Sequence, residues 1–237
     1  MNTAERRAKL IFTGIIELLP VYTVIWALAA GNGKLAVALG SIILVAIPLG
    51  LELCFRARLS WPLFIFGVLY ALGPLLGHGY NLYYYLPWWD DLLHALGGVA
   101  FAVVGFCLPD LFGLKAKHEY AFRALFSLCF SMAVALGWEF IEYFIDTVFH
   151  ADMQSDTFIT GITSYLLGEA PGAMDSIPEI SSVTVNGRAL PGYIDIGLLD
   201  TMSDTIKETA CAAATVIVLW LDGGRHPAFR REEQSGS

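Results

Sequence analysis

Polar residues recur near the ends of three long hydrophobic stretches of this sequence, in pairs three or four positions apart. The pairs are Asp90 with His94, Glu139 with Glu142, and Asp200 with Asp204. On a helix, this spacing puts both members of a pair on the same face. Carboxylate oxygens with a single imidazole suit Mg²⁺, Mn²⁺ or Zn²⁺ better than a thiolate-preferring metal. The pairs therefore indicate a metal site or proton-binding groups.

The composition indicates that these pairs belong to a membrane protein. The 237 residues are 56% hydrophobic and 15% charged, with a mean hydropathy of +0.61, which is too apolar for an ordinary soluble domain. A helix needs about 20 apolar residues to cross a bilayer. Six segments qualify, the third being short and interrupted by Pro74: residues 10–30, 35–54, 61–77, 92–112, 122–149 and 200–221. The sequence thus predicts an all-α polytopic membrane bundle of about six helices.

Lysine and arginine are unevenly distributed between the loops, and cationic flanks are retained in the cytoplasm. If the N-terminus is inside, the outer loops contain only Lys34 and Arg188, and Lys207 falls within the sixth segment. The inner regions then contain eleven cationic residues: Arg6, Arg7, Lys9, Arg56, Arg58, Lys115, Lys117, Arg123, Arg225, Arg230 and Arg231. We expect both termini in the cytoplasm, one transmembrane domain over residues 1–222 with an extracytoplasmic connection at 150–199, and a cytoplasmic tail at 223–237. All three polar pairs then lie toward the outer face.

The charge pattern and the cysteines argue against two classes of protein. The net charge is −8, and the sequence has no basic stripe with interleaved aromatic residues, so we expect no nucleic-acid partner. All four cysteines fall in hydrophobic segments, which argues against a disulfide framework. We expect them to be small buried residues: Cys54, Cys107, Cys129 and Cys211.

Glu139 and Glu142 lie well inside the fifth segment, and Asp146 continues the same stripe. At about 1.5 Å per residue, the two glutamates are about 15 Å and about 10 Å from the end of the segment. A charge near the bilayer centre costs about 3 kcal/mol even on a lenient scale. Two carboxylates on one face therefore favour metal or proton chemistry, and a purely structural polar seam is the alternative.

Some of these polar residues have simpler explanations. Asp91 and Asp200 stand at helix starts, where a carboxylate caps free N–H groups, and Lys207 can pair with Asp204. Capping does not account for His94, Glu139, Glu142 and Asp204. We predict as metal ligands Asp90, His94, Glu139, Glu142, Asp200 and Asp204, with His94 and Glu139 also catalytic, and Asp91, Asp146 and Lys207 as further candidates.

Two carboxylates lie outside the three pairs but inside hydrophobic segments. Glu17 falls within the first segment, where a functional role and pairing with a neighbouring helix are both open. Glu52 has a partner in Arg56, four residues further on.

The connection at 150–199 has its own local pattern. Residues 183–185 are followed by Asn186 and Gly187, which predicts a hairpin, and residues 160–167 look helical. Connections of this length are usually functional or disordered. We expect either a lid over the site or a plain extracytoplasmic cap.

At these residues the chain resembles the YjdF-type bacterial inner-membrane proteins and, more distantly, VanZ-like proteins. The resemblance covers segments three to six and rests on Trp89-Asp90-Asp91-Leu92-Leu93-His94, Glu139-Phe140-Ile141-Glu142 and Asp200-Thr201-Met202-Ser203-Asp204. It implies a multi-pass protein of the bacterial inner membrane, and it matches Asp90 rather than Asp91 to the acidic position before the histidine. VanZ-like proteins are associated with glycopeptide antibiotic resistance. The resemblance supports the site and not a particular reaction, and the outer connection is longer than the family pattern implies.

Three functions fit this pattern. The first is a metal-dependent hydrolase or transferase acting on phosphates of a lipid-linked envelope precursor, with a divalent metal as cofactor and His94 as acid or base. The second is a proton- or cation-coupled transporter that uses Glu139, Glu142 and Asp204 and needs a path to the cytoplasm, toward which Glu17 lies. The third is a non-catalytic membrane scaffold. Membrane lipid is the expected partner in each case, and the oligomeric state is left open.

Overall fold

The computed structural model describes residues 3–31, 33–54, 59–111 and 119–222 and is mostly helical. The helices in this part of the chain are α1 Thr3–Ala30, α2 Leu35–Cys54, α3 Trp61–Tyr70, α4 Leu82–Tyr85, α5 Trp89–Leu111, α6 Glu119–Phe149 and α7 Leu198–Asp222. Five of the six predicted segments coincide with the long helices α1, α2, α5, α6 and α7, and the third coincides with the shorter α3 and the turns after it, so the all-α fold class is confirmed. Outside the described residues lie the predicted tail at 223–237 and Arg56, Arg58, Lys115, Lys117, Arg225, Arg230 and Arg231.

Five described helical stretches are long and apolar enough to cross a membrane. They are Thr3–Ala30, Leu35–Cys54, Trp61–Gly79, Trp89–Pro109 and Glu119–Phe149. The sixth predicted crossing is α7, which is 25 residues long. Its first half is more polar because it contains Asp200, Asp204, Lys207 and Glu208. The chain is therefore a polytopic helical membrane protein, and the sixth crossing and the orientation stay predictions.

The described residues form two compact units. Unit one contains the described residues up to Met132 together with Glu208–Asp222, and unit two contains Ala133–Lys207. The single transmembrane domain over residues 1–222 stays a prediction.

The apolar core of unit one lies among α1, α2 and α3. Phe64, Val68 and Leu75 are fully buried and pack with Ala38 and Val45. These side chains come from α2, α3 and the turn after α3 that contains Leu75, so their burial stabilises the contact between these elements.

The predicted interruption of the third segment is confirmed. α3 ends at Tyr70, and after Pro74 the chain continues as a short π-helical turn, Leu75–Gly79. Proline lacks a backbone N–H and its ring clashes with the preceding turn, so a regular helix ends before it.

A buried ion pair joins α1 to α2. Lys9 is 0% exposed, and its Nζ donates to Glu52 Oε1 at 2.6 Å and to the backbone oxygen of Leu59 at 2.8 Å. The ammonium also lies 5.5 Å and 4.9 Å from the ring centroids of Trp61 and Phe64, within the range of cation–π attraction. Lys9 of α1 thus contacts both neighbouring helices, α2 and α3.

Glycines of α5 allow close packing inside unit one. A Cβ at Gly98 would lie 2.3 Å from the backbone oxygen of Glu208, and one at Gly105 would lie 2.9 Å from the Cα of Ser127. Small residues at such contacts let membrane helices approach closely. The α5 backbone consequently lies directly against the unit-one parts of α6 and α7.

Unit two contains three two-stranded antiparallel sheets between α6 and α7. β1 (Thr157–Ile159) pairs with β6 (Tyr193–Asp195), β2 (Ile162–Ser164) with β3 (Asp175–Ile177), and β4 (Val183–Val185) with β5 (Arg188–Leu190).

The predicted hairpin is confirmed, and the predicted helix before it is wrong. Asn186 and Gly187 have φ of 50° and 85°, as a type I′ turn between β4 and β5 requires. Residues 160–167 instead form β2 followed by a single 3₁₀ turn, Tyr165–Leu167. The reason is that β2 pairs with β3. The residue pattern of a short apolar run does not show whether a partner strand is present.

The four cysteines are free thiols. Cys107 and Cys211 are partly buried, but Cys54 and Cys129 are exposed, so the prediction of burial is wrong for these two. The outer surface of a membrane helix is itself apolar, so a small hydrophobic residue is as suitable there as in the core.

Candidate metal centre

Two hydrogen bonds fix the start of α5. The indole N–H of Trp89 donates to the backbone oxygen of Gly73 at 3.2 Å, and the hydroxyl of Tyr70 donates to the backbone oxygen of Leu93 at 3.1 Å. Both partners belong to α3 or to the segment after it. The first turns of α5, which carry the first polar pair, are therefore held by the Tyr70 side chain and by the backbone of Gly73.

His94 lies between two carboxylates within unit one and is 5% exposed. Its Nε2 is 3.7 Å from Asp90 Oδ1, and its Nδ1 is 3.4 Å from Glu208 Oε2. An ionised carboxylate can only accept, so the hydrogen bond to Glu208 requires Nδ1–H as the donor. In the neutral imidazole, Nε2 then keeps its lone pair on the side of Asp90.

Glu208 is 3% exposed, and its Oε1 has no hydrogen-bond partner among the described residues. The carboxylate lies over Gly97, because a Cβ there would be 3.4 Å from Oε1 and 2.7 Å from the hydroxyl oxygen of Tyr70. A buried acceptor without a donor costs about 1–3 kcal/mol, and more when it is charged. The arrangement therefore favours positive charge or a further donor close to Glu208 and His94.

The donor set fits a divalent cation bound at His94 Nε2. Two ligand atoms at about 2.1 Å from a tetrahedral ion are about 3.4 Å apart, and the distance from Nε2 to Asp90 Oδ1 is 3.7 Å. A metal-bound histidine usually donates its other N–H to a carboxylate, which fixes the tautomer. Glu208 is in that position. Asp90 and His94 thus suit Mg²⁺, Mn²⁺ or Zn²⁺, with Glu208 orienting the ring.

Three further predicted ligands are buried in unit two: Glu139, Glu142 and Asp204. The indole N–H of Trp138 donates to Glu142 Oε1 at 2.8 Å. Lys207 Nζ donates to Asp204 Oδ1 at 2.9 Å, which is the ion pair predicted from their spacing. The burial of these three carboxylates agrees with the prediction that they lie inside the protein. Their roles as metal ligands, and the role of Glu139 as a catalytic group, stay predictions.

Asp146 and Asp200 bind backbone amides at the start of the outer connection. Met153 N–H and Gln154 N–H donate to Asp146 at 2.6 Å and 2.9 Å, and Ser155 N–H donates to Asp200 at 2.7 Å. These bonds tie residues 153–155 to α6 and α7 within unit two. They give both carboxylates a structural role, and a ligand role for Asp200 stays a prediction.

Sequence reasoning did not select Glu208. It follows Asp204 by four residues, so the signal was the same one-turn spacing that identified the other pairs. Asp91, the further candidate beside Asp90, is exposed. The structure therefore agrees with the resemblance that Asp90, rather than Asp91, is the acidic residue beside the histidine.

A cleft in unit two is lined in part by Asp146, Asp152 and Asp156. Burial, followed by the negative charges of Asp156 and Asp146, raises the pKa of Asp152. Protonation of Asp152 relieves the repulsion between these carboxylates. The start of the outer connection thus concentrates negative charge.

The family comparison covers nearly the whole helical part of the chain. The model of a family described as "Predicted membrane protein (DUF2238)" matches residues 11–223. No curated protein and no solved structure matches the chain.

Proposed function

We propose that this chain, which belongs to the DUF2238 family of predicted membrane proteins, binds a divalent metal ion at the start of α5. One observation carries the proposal: buried His94 lies between Asp90 and Glu208. Asp90 and His94 Nε2 act as ligands, and Glu208 holds the imidazole by accepting from Nδ1–H. Both ring nitrogens are then engaged, so His94 serves as a ligand rather than as an acid or base.

Other carboxylates enter the proposal from the sequence. Asp204 precedes Glu208 by one turn in α7, so the two share a helix face. Glu139 and Glu142 share a face of α6, and the distribution of cationic residues predicts them on the same membrane side as the start of α5. The sequence predicts these carboxylates as further metal ligands.

We propose further that the site hydrolyses or transfers a phosphate group of a lipid-linked molecule. When bound, a divalent cation would polarise a phosphoryl oxygen. Glu139 is buried and is the proposed base, which takes a proton from the attacking water or hydroxyl group. The location, the outer face of a bacterial inner membrane, and the envelope-lipid substrate class rest on the predicted orientation and on the resemblance to YjdF-type and VanZ-like proteins.

Metal analysis of the purified full-length protein tests the binding site. Wild type should retain a stoichiometric divalent ion after desalting, whereas Asp90→Asn and His94→Ala should lose it. Asp91→Asn is the matched control, because it makes the same change at the adjacent, exposed residue. Metal retained in Asp90→Asn, or lost equally in Asp91→Asn, would contradict the assignment.

Phosphate release tests the reaction separately. Protein in nanodiscs that contain a polyprenyl diphosphate or phosphatidic acid should release inorganic phosphate. Release should stop on chelation and in Glu139→Gln, and it should persist in Glu169→Gln, which alters an exposed carboxylate of the outer connection. Bound metal without release from either lipid would reject the hydrolase and leave the metal site in place.

A further inference from the structure

Polar side chains follow the buried face of α1. Lys9, Thr13 and Thr23 are 0%, 4% and 0% exposed, and Glu17 is half-buried. Steps of four residues keep Lys9, Thr13 and Glu17 near one face of the helix. Thr23 follows Lys9 by fourteen residues, close to four full turns, so it returns to the same side about 21 Å along the helix at about 1.5 Å per residue. Polar groups inside a membrane are costly and usually functional. This face, which we call the α1 polar face, lies outside the metal site.

Both ends of the α1 polar face are satisfied by hydrogen bonds. At one end, Lys9 pairs with Glu52 at 2.6 Å. At the other, the Thr23 hydroxyl donates to the backbone oxygen of Leu19 at 2.9 Å, so Tyr80 donates its hydroxyl to Thr23 Oγ1, also at 2.9 Å. The ends are therefore fixed by the protein itself.

The middle of the α1 polar face differs from its ends. Thr13 Oγ1 and Glu17 Oε2 are buried and have no hydrogen-bond partner among the described residues. Thr23 and Ser41 satisfy their hydroxyls by donating to the carbonyl four residues earlier, but Thr13 makes no such bond. The Thr13 hydroxyl can donate and accept, whereas an ionised Glu17 oxygen can only accept. An internal water molecule with two or more polar neighbours supplies a partner to both.

We propose that Thr13 and Glu17 bind an internal water molecule and that Glu17 carries an exchangeable proton, which makes the α1 polar face a proton-binding site inside the membrane. The neutral acid avoids the cost of an unpaired intramembrane carboxylate. On release, the proton passes to the bound water and on to bulk water, leaving the carboxylate. This site is independent of the proposed metal centre, because it uses residues of α1 alone.

Other titratable groups lie toward the ends of α1. Lys9 and Glu52 neutralise each other on the predicted cytoplasmic side. The remaining titratable side chains on the described α2, α3 and the segment packed after them are Cys54, Tyr70, His78 and Tyr80. A change of charge at Glu17 therefore takes place away from the ion pair of Lys9 with Glu52. A proton that leaves Glu17 toward the cytoplasm passes this ion pair.

Infrared difference spectroscopy of the full-length protein in nanodiscs tests the proposal. Wild type should show the carbonyl band of a protonated carboxylic acid, shifted in D₂O and reversibly lost as pH rises. Glu17→Gln should remove this band, whereas Glu5→Gln, the same change at a glutamate of α1 that lies 3.5 Å from Lys9 Nζ, should not. A wild-type protein without an exchangeable acid band, or a band that survives Glu17→Gln, would overturn the proposal.

The water is tested by a second pair of variants. Thr13→Val keeps the shape and removes the oxygen, so the Glu17 band should move to the frequency of a less hydrogen-bonded acid. Thr13→Ser restores an oxygen and should return the band to its wild-type position. A band unaffected by Thr13→Val would reject the shared water. This measurement does not depend on Glu17→Gln, so it applies even if that variant fails to fold.

Discussion

The hydrogen bond between His94 and Glu208 sets which ring nitrogen is available for a metal. In Glu208→Gln the amide oxygen can still accept from Nδ1–H, but it brings no negative charge and leaves the imidazole less basic. Replacing such an orienting partner typically costs about 10–100-fold in metal affinity. Competition with a fluorescent chelator should show a loss in this range for Glu208→Gln.

The size of the loss distinguishes two roles for Glu208. An orienting residue should matter less than a ligand, so Asp90→Asn should lose more affinity than Glu208→Gln. Equal losses would make Glu208 a direct ligand, and wild-type affinity in Glu208→Gln would remove it from the site. Glu5→Gln controls for the substitution itself.

The pair of Lys9 and Glu52 gives a prediction about stability. In Lys9→Met the Glu52 carboxylate stays buried without its cation, and breaking a buried pair in this way costs about 3–5 kcal/mol. The double variant Lys9→Met with Glu52→Leu removes both charges and should recover much of this loss. Denaturant unfolding in detergent micelles measures the free energies, and additive losses in the double variant would argue against the pair.

The same residues show where sequence reasoning stops. Asp90 and His94 could be paired because one helix carries both. Glu208 lies 114 positions from His94, and Lys9, which pairs with Glu52, lies 43 positions from it. Spacing pointed only to Arg56, which lies outside the described residues. Contacts between helices depend on which faces pack, and a single sequence does not record this.

Among the secondary-structure elements, the sequence predicted correctly those that are determined by residues close together in the chain. The helices follow from long apolar runs, and the β4–β5 hairpin follows from Asn186 and Gly187, whose positive φ angles are intrinsic to that turn. The β2–β3 pair was missed because each strand has three residues and its stability comes from a partner beyond an intervening turn. Short apolar runs of this kind do not separate strand from helix.

The contact of α5 with the unit-one part of α7 gives a prediction at the scale of the element. Gly98→Ala puts a methyl group 2.3 Å from the backbone oxygen of Glu208, so the helices must separate. We expect a loss of about 1–3 kcal/mol in the free energy of unfolding together with weaker metal binding, because Glu208 moves away from His94. Thermal unfolding and chelator competition on the same samples measure both effects.

Gly14→Ala is the matched control for the α5 contact. A Cβ at Gly14 of α1 meets no atom within 4 Å, and alanine favours a helix over glycine by about 1 kcal/mol. The control should therefore keep metal affinity and be at least as stable as wild type. Full metal affinity in Gly98→Ala would show that the packing of α5 does not position Glu208.

At the scale of the whole molecule, α7 decides the orientation of the C-terminus. Five described stretches are apolar enough to cross, and five crossings from a cytoplasmic N-terminus would leave residues 223–237 outside. The cationic residues Arg225, Arg230 and Arg231 favour the inside for this tail. The polar first half of α7 is compatible with crossing if its buried carboxylates are neutralised by Lys207 or by a bound cation.

Reporter fusions distinguish these topologies. A reporter that is active only in the cytoplasm should be active after Arg225 and silent after Arg188, with fusions after Lys117 and Gly31 calibrating the inner and outer loops. Silence at both Arg225 and Arg188 would mean that α7 does not cross, and the reverse pattern would invert the protein. If α7 does not cross, Asp204 and Glu208 do not lie inside the membrane. The free-energy cost of an intramembrane charge then no longer marks their carboxylates as functional. The fusion after Arg225 therefore tests the assumption that joins topology to the metal site.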